Sequence, residues 1–410
     1  MKTMRLLLIH PTHPSTPHIS AVRMWRFAQE MAKRGHHVAL LCAPPKGGQA
    51  THIAEVARHD WQAPFLLACE TGRAGWLDKD RLPSYARKMV TAWRMLHRGG
   101  DLGRWADNIV RAAHKLGRTF MPDLVWTTFG FMEAVIAARR AARTLQCPWV
   151  LDIKDNWELC VPFGLRRLMA ARTLGWAALT ANASFTQVKA SRWQRDEATV
   201  VYSGIDDAFF GDGHRVKLED DLFVVNLIGG LYFQDRLEEF LAGIRQWTAR
   251  LTPQERDRVQ LRYLGGNAQM FEEAAARADL GIPYKSLGYR PVAEMAGHCR
   301  QAVVNAYIAT PLGFHHKLLE LLASAKPVLA FPDEDEEART LALQVAGDLR
   351  TPSTAEAVAA ELARLHSEWQ PGTASSPDPA TLRAYSWASQ AEILEQTFQR
   401  VLSGKGRQHE

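Results

Sequence analysis

The sequence has few cysteines and no long hydrophobic run, and each absence argues against a class of protein. Its five cysteines are scattered over 410 residues without a C-x-x-C pair, which argues against a disulfide framework and a zinc site. The N-terminal apolar run, Leu6 to Ile9, is too short for a signal peptide or a membrane span. We therefore expect a protein of the reducing cytoplasm whose membrane contact, if any, is peripheral.

The positive charge of the chain is concentrated in one segment. The net charge is +6, and Thr71 to Arg118 alone contains eleven Lys and Arg against four Asp. No recognisable nucleic-acid-binding module accompanies this charge, so we expect no nucleic-acid partner. Within the segment, residues 84–98 alternate basic residues with an apolar stripe at helical spacing. The residues expected to face a membrane are Tyr85, Arg87, Lys88, Trp93 and Arg94.

This basic segment has two interpretations. Basic residues that flank an aromatic stripe are typical of an interfacial helix on anionic lipid. The same pattern is compatible with an amphipathic helix that packs on its own domain and exposes a basic face to solvent.

The length and the order of apolar segments predict two domains. A chain of 410 residues exceeds the usual size of a single hydrophobic core. Apolar strands alternate with amphipathic helices in both halves, which predicts an α/β protein with two doubly wound parallel sheets. The predicted parts are a Rossmann-like domain at 1–202 with a basic insertion at 71–118, a linker at 203–221, a second Rossmann-like domain at 222–380 and a helix at 385–405.

The most informative segment is Gly313 to Pro332. A predicted helix with Lys317 and Glu320 precedes a Lys-Pro stop and an apolar strand, Val328 to Phe331. Residues i and i+3 share a helix face, so the cation and the carboxylate point the same way. A cation at a helix N-terminus suits a diphosphate, and a carboxylate one turn later suits ribose hydroxyls, which predicts a nucleotide-sugar site. A surface ion pair is the alternative interpretation.

This segment resembles the donor-site signature of GT-B glycosyltransferases, especially family 4. Arg23 to Val38, Trp149 to Trp157 and Thr199 to Asp206 are similar to other motifs of that fold, in the same order. The resemblance implies two Rossmann-like domains facing across a cleft and a final helix that crosses back to the first domain. It also implies glycosyl transfer from a nucleotide-diphosphate sugar, with a UDP-sugar favoured, and no metal or cofactor.

Two landmarks of family 4 are missing. Gly230 and Asp235 stand where the family has a cationic clamp for the diphosphate, and Leu312 replaces the first of two glutamates. The chain is also similar to the membrane-associated, inverting glucuronosyltransferases of exopolysaccharide assembly, which lack the same clamp.

The resemblance implies roles for several residues of the second domain. Glu320 would hold the ribose hydroxyls and Lys317 the phosphates. Apart from the resemblance, His315 and His316 could add donors to the phosphate, although a histidine on a helix surface more often has no special role. The backbone N–H groups of Gly229 and Gly230 would approach a phosphate, although a plain glycine turn explains them equally well.

A second pair of residues is expected near the nucleotide base. Tyr289 and Arg290 follow a short strand at a loop where relatives hold the base, so they would either stack on it or pack within the protein.

In the first domain Asp155 follows a strand and would act as the base that deprotonates the acceptor hydroxyl. The alternatives are that it caps a helix or pairs with Lys154 or Arg23. The loop from His10 to His18 has no compact zinc spacing, and we expect Ser15 and His18 to bind the acceptor.

These features predict a hexosyl- or glucuronosyltransferase peripherally associated with the inner face of the cell membrane. It would transfer sugar to a lipid-linked saccharide in cell-surface or exopolysaccharide assembly. The alternatives are an epimerase or hydrolase of nucleotide sugars, and a non-catalytic partner subunit.

Overall fold

The structure is a computed structural model that describes most of the chain. The described residues are 2–16, 18–45, 48, 59–71, 82–97, 102, 104–155, 161–172, 175–184, 186–187, 198–210, 222–310, 314–369 and 379–404. The chain forms two compact units. The first comprises Met1–Ser203 and Trp387–Glu410, and the second comprises Gly204–Ser386. Residues 211–221 of the predicted linker, Leu312 and parts of the basic insertion lie outside the described residues.

The first unit contains a parallel sheet in the order β3-β2-β1-β4-β5-β6-β7. Its strands are β1 Arg5–Ile9, β2 His37–Cys42, β3 Phe65–Ala68, β4 Leu124–Phe129, β5 Trp149–Ile153, β6 Ala178–Ala181 and β7 Thr199–Val200. Its first helices are α1 Ile19–Lys33, α2 Ser84–His97, α3 Trp105–Gly117, α4 Met132–Leu145 and α5 Arg166–Arg172. The central strands are mostly apolar and almost completely buried because both faces of the sheet are covered.

The second unit contains a parallel sheet in the order β10-β9-β8-β11-β12-β13. Its strands are β8 Phe223–Ile228, β9 Val259–Leu264, β10 Tyr284–Ser286, β11 Val304–Ile308, β12 Val328–Phe331 and β13 Leu349–Arg350. Its helices are α6 Gln234–Thr248, α7 Pro253–Arg256, α8 Ala268–Ala278, α9 Val292–Gln301, α10 Lys317–Ala323, α11 Glu336–Gln344, α12 Ala355–Glu368 and α13 Pro379–Arg383. The two parallel sheets with interleaved helices confirm the predicted fold class.

The last described helix, α14 Trp387–Leu402, packs on the first unit. The Trp387 ring meets Phe27 of α1 edge-on at 5.2 Å, and Phe398 lies 6.1 Å from Trp126. These aromatic contacts bury the apolar face of α14 in the core on the α1 side of the sheet. None of the described helices is long and apolar enough to span a bilayer.

A buried ion pair joins α1 to β5. Arg23 and Asp152 are both inaccessible to solvent, with Nε–Oδ2 and Nη2–Oδ1 distances of 2.9 Å. Thr180 donates to the same carboxylate at 2.7 Å. Burial alone would raise the pKa of Asp152, but Arg23 and these hydrogen bonds bring the pKa below its usual value. Because Arg23 pairs with Asp152, it is not the partner of Asp155.

Replacing Asp152 with alanine should destabilise the protein by about 3–5 kcal/mol, because it leaves the Arg23 guanidinium buried without its counter-charge. Urea unfolding would measure this loss. Asp107, which is half-exposed and pairs with the half-exposed Arg140, provides the matched control, and Asp107→Ala should change the free energy of unfolding by less than about 0.5 kcal/mol. Equal losses in the two variants would contradict the structural role of the Arg23–Asp152 pair.

One residue predicted to face a membrane is buried. The second half of α2 packs on the core of the first unit, which buries Ala92 completely and leaves Arg94 only 9% exposed. The prediction for Arg94 was therefore wrong, because a buried side chain cannot face a membrane. Tyr85, Arg87, Lys88 and Trp93 are exposed, as the pattern predicted.

Candidate functional site

Each sheet has a topological switch point, where the strand order reverses and ligands bind in open α/β proteins. In the second unit this point lies between β8 and β11, and Lys317 begins α10 beside it. The Lys317 ammonium donates to the Ile228 carbonyl at 3.2 Å and lies 5.7 Å from the centre of the Tyr307 ring. The sheet order thus places a cation at the carboxyl end of β8.

Gly229 provides the space for this ammonium. Its φ of +103° favours glycine, and a Cβ added there would overlap with Lys317 Nζ. Its N–H donates to the Leu264 carbonyl at 2.9 Å, so it is already used. The expectation that the Gly229 N–H holds a phosphate is therefore wrong, because this N–H continues the pairing of β8 with β9.

The loop after Gly229 is held by two polar side chains of the neighbouring chain segment. Tyr263 donates its hydroxyl to the Gly229 carbonyl at 2.8 Å and accepts from the Asn267 N–H at 3.1 Å. Asn267 accepts from the Leu231 N–H at 3.1 Å. These bonds fix the backbone on both sides of Gly230.

A buried carboxylate that sequence reasoning missed lies close to Lys317. Glu334 accepts from His315 Nδ1 at 2.5 Å and from the Tyr307 hydroxyl at 2.6 Å. His315 Nε2 accepts from the Thr310 N–H at 2.9 Å, which places the ring hydrogen on Nδ1. Burial raises the pKa of Glu334, but the interactions with His315, Tyr307 and the Asp335 N–H together outweigh it, and the pKa is lowered. Glu334 lies shortly after the end of β12, much as Asp155 lies shortly after the end of β5.

Burial and the neighbouring carboxylates shift the pKa of Lys317 in opposite directions. Burial lowers the pKa of Lys317 to about 8, while Glu320 and Glu334 act in the opposite direction. Lys317 and Glu320 therefore lie close enough to interact, as their spacing on the helix predicted. An anion that bound here would favour the charged form of the lysine.

Of the other predicted donor-site residues, His316 lies beside Lys317, whereas Tyr289 and Arg290 lie after β10. His316 immediately precedes α10, and its ring meets Phe314 edge-on at 5.8 Å. Tyr289 is exposed after edge strand β10, and the neighbouring Arg290 lies 3.6 Å from Glu294. Strand β10 is two strands away from β8, so these two side chains form a separate part of the same sheet edge.

In the first unit the switch point lies between β1 and β4, and Asp155 lies close to it at the end of β5. Lys154 donates to Asp155 Oδ1 at 3.0 Å, and the Lys154 side chain is 7% exposed against 51% for Asp155. A Cβ added to Gly130 would lie 3.1 Å from Asp155 Oδ2. The second carboxylate oxygen thus faces the end of β4.

The two residues expected to bind an acceptor have different neighbours. His18 caps α1 by accepting from the Ser20 N–H at 3.3 Å, and its ring lies 6.1 Å from Phe131. Desolvation lowers the pKa of His18, Lys154 lowers it further and Asp155 raises it. His18 therefore lies close enough to Lys154 and Asp155 to interact with both. Ser15 is exposed and lies 2.7 Å from His13 within its own loop. Among the described residues, no group of three or more acidic, Cys or His side chains is placed to hold a metal.

Comparison with known proteins gives the fold. The chain matches no protein-family model and no curated protein. It resembles Anabaena HepE, solved with UDP and glucose, with a TM-score of 0.65 and 15% identity over 97% of this chain and 99% of that chain. It resembles sucrose-phosphate synthase from Thermosynechococcus elongatus with a TM-score of 0.69 and 14% identity, over 97% and 99% of the two chains. The chain has the GT-B fold.

A third solved structure with this fold belongs to a Listeria monocytogenes protein described as a UDP-N-acetylglucosamine 2-epimerase. It aligns with a TM-score of 0.60 and 11% identity, over 100% of this chain and 99% of that chain. The GT-B fold therefore accommodates more than one reaction, and the choice between them depends on the side chains of this chain.

Proposed function

We propose that this GT-B chain is a glycosyltransferase that transfers a sugar from a nucleotide-diphosphate sugar to an acceptor hydroxyl. The observation that carries the proposal is the Lys317 ammonium, held against Gly229 at the switch point of the second sheet with Glu320 one turn further on. A UDP-sugar is the favoured donor, since the neighbour HepE was solved with UDP.

The proposed chemistry assigns one role to each unit. The acceptor oxygen forms a bond to the anomeric carbon, the bond from that carbon to the diphosphate breaks, and Asp155 takes the hydroxyl proton. Lys317 stabilises the negative charge on the departing nucleoside diphosphate. The sequence motifs favour an enzyme similar to family 4 or to the glucuronosyltransferases of exopolysaccharide assembly, with a lipid-linked saccharide as acceptor.

A thermal-shift screen against UDP-, GDP-, dTDP- and ADP-sugars tests this function. We expect one nucleotide class to raise the Tm and Glu320→Ala to remove that rise, since it deletes the carboxylate proposed for the ribose. The control is Glu273→Ala on the exposed face of α8, which should keep the full response. No response to any donor would favour a non-catalytic subunit, and conversion of the donor without an acceptor would favour an epimerase or hydrolase.

The affinity for UDP should depend on pH through Lys317. With a pKa of about 8 in the free protein, the lysine is charged below that pH and loses its charge above it. The Kd should therefore stay constant below about pH 8 and rise up to about tenfold per pH unit above it. Isothermal titration calorimetry in buffers from about pH 7 to about pH 9.5 would measure this. A Kd that stays constant across this range would contradict the role of the ammonium.

We place the first unit on an anionic membrane through α2 and α5, which pack against each other. The aromatic and aliphatic side chains exposed on these helices and on the turn before α5 are Tyr85, Met89, Trp93, Phe163 and Leu168. Basic residues exposed beside them are Arg87, Lys88 and Arg167. Exposed apolar side chains next to basic ones support binding at the lipid interface. The sequence pattern pointed only to α2, because α5 follows it far along the chain.

Vesicle co-sedimentation tests this surface. We expect the protein to bind vesicles that contain phosphatidylglycerol better than phosphatidylcholine vesicles, and the double variant Tyr85→Ser/Trp93→Ser to bind at least about tenfold more weakly. Leu343→Ser removes an equally exposed apolar side chain from the second unit and should bind like the wild type. Equal losses in both variants would mean that the α2 surface does not contact lipid.

A further inference from the structure

Two fully buried side chains near Asp155 each have one polar atom without a hydrogen-bond partner in the described part of the chain. His10 follows β1, and Ser20 lies in the first turn of α1. The Thr12 N–H lies 3.1 Å from His10 Nδ1, closer than the Thr12 carbonyl at 3.3 Å, so Nδ1 accepts and Nε2 carries the hydrogen. Neither the His10 Nε2–H nor the Ser20 Oγ meets a partner among the residues that the structure describes.

Buried polar groups without partners are rare in folded proteins and cost stability, so each one calls for an explanation. Both groups lie at the β1–β4 switch point, where the fold places ligands. A Cβ added to Gly130 would lie 3.4 Å from Ser20 Oγ and 3.1 Å from Asp155 Oδ2, so the missing side chain leaves space between them.

His10 belongs to the same cluster. Its ring lies 6.1 Å from Phe131, the residue after Gly130, and the charges that lower its pKa after burial are those of His18 and Lys154. His18 caps the Ser20 N–H, and Lys154 pairs with Asp155. The two unpartnered groups and the Asp155 carboxylate are therefore linked through shared neighbours.

The chemistry of the cluster fits a hydroxyl group. A hydroxyl accepts one hydrogen bond and donates another, which matches a ring N–H and a serine hydroxyl beside a carboxylate oxygen. An anionic ligand group would face Asp155 Oδ2, whereas the Lys154 ammonium is already paired with Oδ1. Burial lowers the pKa of His10 to about 3, which is consistent with an uncharged donor.

We propose that His10 and Ser20 recognise a pyranose hydroxyl next to Asp155. That the ligand is a sugar rests on the proposed function, whereas the two unpartnered groups do not depend on it. The hydroxyl belongs either to the transferred sugar or to the acceptor, and binding experiments separate these sources.

The experiment compares Ser20→Ala and His10→Asn with wild type. Alanine removes only the hydroxyl, and asparagine keeps an acceptor for the Thr12 N–H while removing Nε2. The control, Thr127→Val, removes a fully buried hydroxyl that donates to the Ile9 carbonyl at 2.8 Å. Without ligand, Ser20→Ala should keep or raise the Tm and Thr127→Val should lower it. A fall for Ser20→Ala as large as that of the control would overturn the proposal, whatever the ligand results.

Titrations with UDP, with UDP-glucose, and with free glucose in the presence of UDP identify the source of the hydroxyl. If the hydroxyl belongs to the donor sugar, both variants should bind UDP-glucose about three- to tenfold more weakly than wild type and bind UDP with unchanged affinity. If the hydroxyl belongs to the acceptor, only the affinity of the two variants for free glucose should fall. The proposal would be overturned if both variants bound UDP-glucose and glucose as tightly as wild type. It would also be overturned if wild type did not bind glucose and bound UDP-glucose no more tightly than UDP. Failure of the wild type to bind UDP or any donor of the thermal-shift screen would overturn the proposed function separately.

Discussion

Lys317→Met should weaken the binding of the nucleotide-sugar donor by at least about a hundredfold and leave the protein folded. The variant keeps the length of the side chain beside Gly229 and removes the ammonium proposed for the diphosphate. A charge-assisted hydrogen bond contributes about 1.5–3 kcal/mol, and loss of the charge at a partly desolvated site adds to this. Isothermal titration calorimetry with UDP and with the donor found in the screen would measure the change.

The same variant should be at least as stable as the wild type at pH 7. The pKa of Lys317 falls from 10.5 to about 8 on folding, so the fold disfavours the charged form. Between these two pKa values the unfolded chain binds more protons, so this lysine makes the stability of the wild type rise with pH. Methionine removes the cost of burying the charge. A drop in Tm together with lost binding would show that Lys317 is structural.

Lys326→Met provides the matched control for Lys317→Met. Lys326 follows the same helix, and burial also lowers its pKa, but it lies after the C-terminal end of α10. We expect UDP binding close to that of the wild type. Similar losses in both lysine variants would mean that net charge, rather than the position of Lys317 beside β8, controls the affinity.

Asp155→Asn should lower the rate of sugar transfer by about two to four orders of magnitude, because the amide cannot accept the proton of the acceptor hydroxyl. The Kd for UDP should stay unchanged, since Lys317 and Glu320, the residues proposed to bind the nucleotide, belong to the second unit. Nucleotide release with the donor from the screen and a panel of sugar acceptors would measure kcat and KM separately.

Lys154→Met is the control for Asp155→Asn. It removes the ammonium 3.0 Å from Asp155 Oδ1 and leaves the carboxylate in place, so a proton acceptor remains. We expect a smaller loss of kcat than in Asp155→Asn. A fully active Asp155→Asn enzyme would show that another group takes the proton or that the reaction proceeds without a protein base.

Local pattern was sufficient for the fold class and for part of the donor site. The apolar strands and amphipathic helices follow one another closely enough to predict two parallel sheets. Lys317 and Glu320 are three residues apart on one helix, so their proximity depends on helix geometry alone. The motif order along the chain agreed with the GT-B fold that the solved structures support.

The local sequence pattern could not predict which residues pair over long distances in the chain. The alternatives for Asp155 included Arg23, and only the packing of α1 on β5 shows that Arg23 pairs with Asp152 instead. Gly229 appeared to offer a free N–H, but its register against Leu264 uses that group. Both outcomes depend on contacts between residues that are distant in the sequence.

The sequence by itself determined the alternation of strands and helices, the local concentration of basic charge and the shared face of Lys317 and Glu320. These properties depend on residues within one or two helical turns of each other, or on composition. The tertiary structure decided that Glu334 lies close to Lys317, that Arg94 is buried, and that His10 and Ser20 lie near Asp155. The reason is that strand order sets which strand ends are neighbours, and that order depends on long-range packing rather than on local spacing.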